Sequence, residues 1–213
     1  MKYTALIVAG GQGSRMGLGY NKVFYTLKEG KTVLDTTLEI FRKDEQCSQI
    51  VIVTNQSDLQ KIVETHEDGR IVNVCGGPTR QDSVFNGLMA TKEDTVLIHD
   101  AVRPWIDQQH IDQLLKTMLT EKAAILAVPV KDTLKEVKDG YILRTVDRST
   151  LMHAQTPQAF NTPLLIQCHQ KAARDQRHAT DDAQLMEWYG NAPVRIVEGS
   201  YGNIKITTMD DVK

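Results

Sequence analysis

A glycine-rich loop near the start of the chain combines close backbone approach with fixed positive charge. Its residues are, in chain order, Ala9, Gly10, Gly11, Gly13, Arg15 and Lys22. Glycines let backbone N–H groups approach phosphate oxygens, and two cations beside them can stabilise charge on a phosphoryl group in transfer. The dinucleotide fingerprint would need a glycine where Met16 stands, and the Walker phosphate-loop pattern is absent. The loop therefore favours a triphosphate site; a glycine turn beside two solvated cations is the plainer alternative.

A second loop, at residues 76–83, could bind the rest of a nucleotide. Gly77 offers backbone N–H groups, and Arg80 and Ser83 offer polar side chains. Ser83 also has the residue type that begins helices, so we predict that it is the N-cap of the helix that follows. An ordinary loop and helix cap would explain the same residues.

A third segment, at residues 99–104, places an acid at the end of a fully apolar strand. Asp100 in that position, beside phosphates, is a natural partner for Mg²⁺, either directly or through water. Arg103 could hold an anionic substrate, and His99 is interpreted as structural. The alternative is an Asp100–Arg103 ion pair that only shapes a turn.

Later in the chain, Asp139-Gly140 separates two strand-like runs, at residues 133–137 and 141–146, which is a strong hairpin signal. Because a lone hairpin is marginal in water, we predict an arm at about 131–157 that docks on a second subunit; folding back on its own domain is the alternative. Arg148 and Thr156 on such an arm could clamp a phosphate monoester in the neighbouring subunit's site. Lys205 is predicted to lie on a short strand near the end of the chain.

The elements that must position these residues alternate along the chain. Apolar, β-branched runs occur at residues 4–8, 50–54, 71–74, 95–98 and 124–128, and helical patterns occur at 33–41, 59–65, 83–90 and 111–119. This alternation predicts an α/β fold, a mostly parallel sheet covered by helices, in a single domain spanning residues 1–213. The carboxyl ends of such strands are where ligands bind.

Composition excludes several classes of partner. A formal net charge of −2 predicts no general attraction to nucleic acid or to an anionic membrane. The three cysteines are far apart, and no stretch approaches the ~20 apolar residues that span a bilayer. We therefore expect a cytoplasmic protein with reduced thiols.

Taken together, the motifs resemble the 2-C-methyl-D-erythritol 4-phosphate cytidylyltransferase family. The resemblance covers nearly the whole chain and keeps the order of the family's motifs, which here are residues 9–16, Lys22, GGPTRQDSV, HDAVRP, residues 145–148, QTPQAF, Thr180-Asp181-Asp182 and NIKIT. It implies a Rossmann-like homodimer with exchanged arms that uses CTP, a sugar-alcohol phosphate and Mg²⁺. Arg15 and Lys22 would stabilise the transition state at the α-phosphorus of CTP.

The resemblance also assigns the remaining site residues. Those implied to line the nucleotide are Ala9, Gly10, Gly11, Gly13, Gly77, Arg80, Ser83, Asp100 and Ala101. Those implied to hold the substrate are Arg103, Thr133, Arg148, Thr156, Thr180 and Lys205, with Arg148 and Thr156 coming from the partner. The family's usual proline and glutamine around the catalytic lysine are replaced by Asn21 and Val23, which frees the backbone before Lys22.

Three alternatives remain from sequence. The nearest is ribitol-5-phosphate cytidylyltransferase, a related enzyme with the same chemistry. An NAD-dependent oxidoreductase is disfavoured by Met16 and by the cationic loop. A catalytically silent dimeric nucleotide-binding protein would fit the replacements at Asn21 and Val23.

Overall fold

The computed structural model describes residues 1–11 and 16–212, and its main feature is a seven-stranded sheet. The described residues form nine strands, of which all except β6 and β7 belong to this sheet: β1 (Tyr3–Val8), β2 (Cys47–Thr54), β3 (Ile71–Cys75), β4 (Thr95–Asp100), β5 (Ala123–Pro129), β6 (Leu134–Lys138), β7 (Tyr141–Val146), β8 (Met152–Asn161) and β9 (Arg195–Glu198). The order in the sheet is β3-β2-β1-β4-β8-β5-β9. β8 runs antiparallel to both β4 and β5, whereas the other pairings are parallel. The predicted mostly parallel α/β sheet is confirmed.

Six α-helices are assigned in the described parts of the chain. They are α1 (Val33–Lys43), α2 (Gln56–Thr65), α3 (Arg80–Leu88), α4 (Gln108–Thr117), α5 (Thr162–Arg174) and α6 (Asp182–Tyr189). Helix α3 begins earlier than predicted, because Thr79 and Asp82 form a reciprocal capping box that satisfies the first backbone donors. The prediction that Ser83 is the N-cap is therefore wrong.

Two apolar clusters cover the two faces of the sheet. Successive strand residues point to opposite faces, so Ile7 packs in one cluster with α1 and α4, while Leu6 packs in the other with α3, α5 and α6. Both side chains are fully buried. Apolar burial on both faces stabilises the sheet and holds the carboxyl ends of its parallel strands at one common edge.

The predicted hairpin is present as a separate two-stranded sheet of β6 and β7. Its two turn residues, Asp139 and Gly140, both have positive φ, of 53° and 83°, as the two-residue hairpin turn requires. The predicted limits of the arm, 131–157, extend too far, because the chain has re-entered the central sheet at Met152. No helix among the described residues is both long and apolar enough to cross a membrane.

Candidate active site

A cavity of about 320 Å³ lies at the carboxyl ends of the parallel strands. Its walls come from the glycine-rich loop, the turn that carries Lys22, the loop before α3, the end of β4 and the segment near Lys205. The lining residues are Val8, Ala9, Gly10, Gly11, Asn21, Lys22, Val23, Gly77, Pro78, Thr79, Arg80, Ser83, Asp100, Val102 and Lys205. Four sequence motifs therefore meet in one place: the glycine-rich loop with Lys22, the loop before α3, the end of β4 and the segment near Lys205.

A second, smaller cavity of about 140 Å³ adjoins the first. Its lining residues are Arg80, Asp100, Arg103, Ala154, Gln155, Thr156, Gln158, Thr180, Asp181 and Lys205. Arg80, Asp100 and Lys205 belong to both walls. A group transferred from a ligand in one cavity to a ligand in the other would pass these three side chains.

Asp100 is the acid at this junction and lies among cations. Its Oδ2 is 2.8 Å from the Lys205 Nζ and 3.7 Å from the Arg103 Nε. Burial by itself would raise the pKa of Asp100, but the charges of Lys205, Arg80 and Arg103 outweigh it and hold that pKa below its usual range. The carboxylate is therefore ionised, and it holds the Lys205 ammonium at the boundary between the cavities.

Lys205 reaches this position from an irregular segment, so the prediction of a short strand here is wrong. The segment is instead held from both sides of Lys205. The Ile206 N–H donates to the Val102 carbonyl at 2.8 Å, and the Arg103 Nη1 donates to the Asn203 carbonyl at 2.7 Å. Because both partners follow β4, the segment is tied to the same strand end as Asp100.

Thr156 lies in β8, directly beside the end of β4. Its hydroxyl accepts a hydrogen bond from the Asp100 N–H at 3.0 Å and lies 3.0 Å from the His99 Nδ1. The regular pairing of β8 with β5 is interrupted between Ala154 and Gln158, which brings Thr156 to this edge of the sheet. The prediction that Thr156 sits on the arm and acts in a partner subunit is therefore wrong: it faces the site of its own chain.

His99 completes the same network and is structural, as interpreted from sequence. Its Nε2 lies 3.0 Å from the Arg103 carbonyl, which can only accept, so Nε2 carries the proton and Nδ1 accepts from the Thr156 hydroxyl. Complete burial lowers the pKa of His99 to about 4, so the ring is neutral near pH 7. Both ring nitrogens are engaged, which leaves His99 to fix the backbone around Asp100.

Arg80 forms an ion pair with Asp182, a buried residue to which the sequence analysis gave no role. The Arg80 Nη1 lies 2.9 Å from the Asp182 Oδ2, and the His169 Nε2 lies 3.4 Å from the Asp182 Oδ1. Burial would raise the pKa of Asp182, but the charge of Arg80 and the contact with His169 keep it low. The run Thr180-Asp181-Asp182 was visible in the sequence, yet nothing in it indicated which distant cation it would hold.

Lys22 forms part of the wall of the first cavity. It begins a short 3₁₀ helix, Lys22–Phe24, and its Nζ donates to the Ile206 carbonyl at 2.7 Å. The two loops that carry Lys22 and Lys205 are thereby joined. The predicted site residues Gly13 and Arg15 lie outside the described residues.

The loop before α3 has a backbone that requires glycine. A Cβ on Gly77 would lie 2.4 Å from the Asp82 Cβ, which is far too close for any side chain. The Ser83 hydroxyl accepts from the Gly77 N–H at 3.1 Å and donates to the Thr79 carbonyl at 2.8 Å. Ser83 thus shapes the loop from inside the first turn of α3.

Three predicted residues do not line either cavity. Ala101 is fully buried, and its N–H donates to the Val8 carbonyl at 3.1 Å. Thr133 and Arg148 lie at the exposed base of the hairpin, where the Arg148 guanidinium donates to the Lys131 carbonyl. Thr180 does line the second cavity, together with Arg103 and Thr156.

The protein has the features of a nucleotide-binding enzyme of the nucleotidyltransferase class. Helices cover both faces of its mostly parallel sheet, glycine-containing loops follow the strand ends, and cationic side chains lie between its two cavities. The model of the family "2-C-methyl-D-erythritol 4-phosphate cytidylyltransferase" matches residues 3–213. The chain therefore belongs to this family, which excludes the oxidoreductase alternative.

Curated relatives and solved structures agree with that assignment. A 2-C-methyl-D-erythritol 4-phosphate cytidylyltransferase of Halalkalibacterium halodurans is 45% identical over 217 residues, which cover 100% of this chain and 94% of the relative. The protein of that name from Bacillus velezensis is also 45% identical, covering 100% of this chain and 93% of the relative. The crystal structure of 4-diphosphocytidyl-2C-methyl-D-erythritol synthase from Anaerococcus prevotii matches with a TM-score of 0.85 and 33% identity, over 99% of this chain and 94% of that one.

Proposed function

We propose that the protein transfers the cytidylyl group of CTP to 2-C-methyl-D-erythritol 4-phosphate and releases pyrophosphate, a step in isoprenoid precursor synthesis. The observation that carries this proposal is the shared wall of Arg80, Asp100 and Lys205 between the two cavities. The larger cavity, with its glycine loops, suits CTP. The smaller one suits the phosphate end of a polyol.

The reaction forms a bond between a phosphate oxygen of the acceptor and the α-phosphorus of CTP. The bond from that phosphorus to the bridging oxygen breaks, and the electron pair leaves with pyrophosphate. The acceptor's phosphate is already anionic at neutral pH, so the step needs no strong base. Positioning and charge stabilisation then supply most of the rate.

The cationic side chains divide these tasks according to where they lie. Lys22, in the wall of the first cavity, would stabilise the charge that develops at the α-phosphorus, together with Arg15. Lys205 and Arg103 would hold the acceptor's phosphate, and Arg80 would stand where both ligands meet.

A divalent cation, Mg²⁺ in our proposal, fits the residues at the junction. Both ion pairs of Asp100 use Oδ2, which leaves Oδ1 for a metal that prefers carboxylate and phosphate oxygens. The described residues contain no group of three or more His, Cys, Asp or Glu side chains that could hold a metal alone. Asp100 would therefore share the ion with the triphosphate, and the bound ion would neutralise charge on the leaving pyrophosphate.

The hairpin supports a homodimer. Tyr141 is 78% exposed and Ile142 is 62% exposed, although both lie on a strand. An isolated two-stranded sheet with apolar side chains in water is marginal, so we propose that it packs on a second copy of the chain. Thr133 and Arg148 at its base would then reach the partner's acceptor cavity. The three cysteines are free thiols, which supports a cytoplasmic setting.

The test is pyrophosphate release from CTP and Mg²⁺, with methylerythritol 4-phosphate and ribitol 5-phosphate as alternative acceptors. We expect turnover with methylerythritol 4-phosphate, and loss of turnover when EDTA removes the metal. Turnover with ribitol 5-phosphate alone would overturn the proposed acceptor. CTP binding without pyrophosphate release from either acceptor would instead support a silent nucleotide-binding protein.

A further inference from the structure

Asn21, the residue before Lys22, is buried and uses its whole amide group. It is only 5% exposed. Its Nδ2 donates to the Ala9 carbonyl at 2.7 Å and to the Asp58 Oδ2 at 2.8 Å, and its Oδ1 accepts from the Val23 N–H at 3.3 Å. Both amide hydrogens and the amide oxygen are therefore engaged within the protein.

These three bonds tie the turn that carries Lys22 to the glycine-rich loop and to helix α2. Ala9 directly follows β1 and begins the glycine-rich loop, Asp58 lies in the first turn of α2, and Val23 is in the 3₁₀ helix that starts at Lys22. The absence of a proline before Lys22 would by itself loosen this turn. The Asn21 side chain supplies the missing restraint through hydrogen bonds.

The partner on α2 is itself fixed. The Asp58 Oδ2 also accepts from the Asn55 Nδ2 at 2.7 Å, and the Asn55 Oδ1 caps α2 by accepting from the Asp58 N–H at 2.9 Å. Asp58 is therefore a rigid anchor, and Asn21 transmits its position to the turn that presents Lys22.

We infer that Asn21 is a positioning residue for the transfer reaction, which holds Lys22 at the distance and direction that the α-phosphorus of CTP requires. This inference rests on the proposed function. Asn21 lines the first cavity, but its amide group is already fully engaged within the protein, so we assign it no contact with the substrate. It acts through Lys22, because its hydrogen bonds hold the turn that carries Lys22 against Ala9 and Asp58.

Asn55 provides a matched control. Asn55→Ala removes a partly buried hydrogen bond to the same Asp58 carboxylate and a helix cap, but its side chain bonds to neither Ala9 nor the Lys22 turn. It should lower the melting temperature about as much as Asn21→Ala does. A purely structural role for Asn21 predicts the same kinetics for both variants, whereas positioning predicts a difference.

The experiment compares wild type, Asn21→Ala, Asn55→Ala, Lys22→Ala and the Asn21→Ala/Lys22→Ala double variant by pyrophosphate release. Because small displacements of a catalytic group reduce rates steeply, we expect Asn21→Ala to lower kcat by about tenfold to a hundredfold with little change in KM for CTP. Asn55 holds Asp58 but does not contact the Lys22 turn directly, so Asn55→Ala should lower kcat less than Asn21→Ala does. In the Lys22→Ala background, removing Asn21 should change kcat no further. Equal kcat in Asn21→Ala and Asn55→Ala, or a further loss in the double variant, would overturn the inference.

A second readout does not need turnover, so it separates this inference from the proposed function. Competitive acetylation, read by peptide mass spectrometry, measures how accessible the Lys22 amine is. Since Lys22 is buried in the folded protein, it should react faster in Asn21→Ala than in wild type or Asn55→Ala. Equal acetylation rates in all three proteins would refute the positioning role even if no acceptor were turned over.

Discussion

Substitution of Asp182 tests whether its buried ion pair with Arg80 stabilises the junction between the two cavities. Asp182→Asn keeps the shape of the side chain and removes its charge. The Asp182 side chain is 1% exposed and its Oδ2 lies 2.9 Å from the Arg80 Nη1. The substitution therefore leaves the guanidinium without its carboxylate and leaves His169 beside a neutral amide.

The expected cost follows from how much of each partner water can reach. Removing one partner of a buried ion pair costs about 3–5 kcal/mol. The Arg80 side chain is 32% exposed, so water solvates part of its charge, and we take the lower end, about 3 kcal/mol. In a domain of this size each kcal/mol lowers Tm by about 2–4 °C, so we expect a fall of about 6–12 °C.

Thermal unfolding followed by circular dichroism at pH 7 measures this fall. The matched control is Glu39→Gln, which also removes a carboxylate from ion pairs, with Lys31 and Lys43, but on an exposed helix face. We expect its Tm to equal that of wild type within error, because solvated ion pairs contribute little. An Asp182→Asn Tm within about 2 °C of wild type would refute the assignment of Asp182 as the support of Arg80.

Three further predictions follow from the same site. His99→Gln tests the effect of burial on the pKa of the ring. Between pH 6.5 and about 4 the unfolded wild type binds a proton at His99 and the folded wild type does not. The free energy of unfolding of wild type should therefore fall, relative to that of the variant, by about 1.4 kcal/mol for each unit by which the pH decreases. Urea unfolding at several pH values measures that difference, and a constant difference would contradict it. Lys205→Met should lower kcat/KM for the acceptor by about 10²–10³-fold, mainly through KM, while CTP binding measured by calorimetry persists; an unchanged KM would count against its role. Ile142→Asp should convert the proposed dimer to a monomer in light scattering and abolish turnover; a monomeric wild type, or a variant that stays dimeric, would contradict the proposed role of the arm.

Strands β1 to β5 were predictable because most of their residues are apolar, whereas the largely exposed parallel strand β9 was not predicted. A strand covered by helices on two faces reads as a continuous β-branched run, as Ile50–Val53 does. β8 was not predicted, because its sequence is polar although the strand is buried. Its central residues, Gln155, Thr156 and Gln158, are polar and yet at most 6% exposed. Burial of polar side chains is visible only once their hydrogen-bond partners are known.

Those partners lie far away in sequence. The Gln158 Nε2 donates to the Asp181 Oδ2, the Gln155 Nε2 donates to the Ser200 carbonyl, and the Thr156 hydroxyl accepts from the Asp100 N–H. Because QTPQ follows the hairpin closely in the chain, its position in the sequence predicts that it belongs to the arm together with Arg148. The family motif was recognised, but the subunit that its threonine serves was assigned wrongly.

A net charge of −2 does not prevent the chain from binding the two polyanions of the proposed reaction. Its positive charge is concentrated: Arg80, Arg103 and Lys205 surround the junction, where Asp100 is the carboxylate common to both cavity walls. Asp182 balances Arg80 from the buried side and lines neither cavity, so it fixes the guanidinium without facing the ligands. In a partly buried site these few charges act with little screening, whereas charges spread over the surface would be screened by salt. Specific placement of cations, rather than overall charge, is therefore what makes this edge of the sheet a site for phosphoryl transfer.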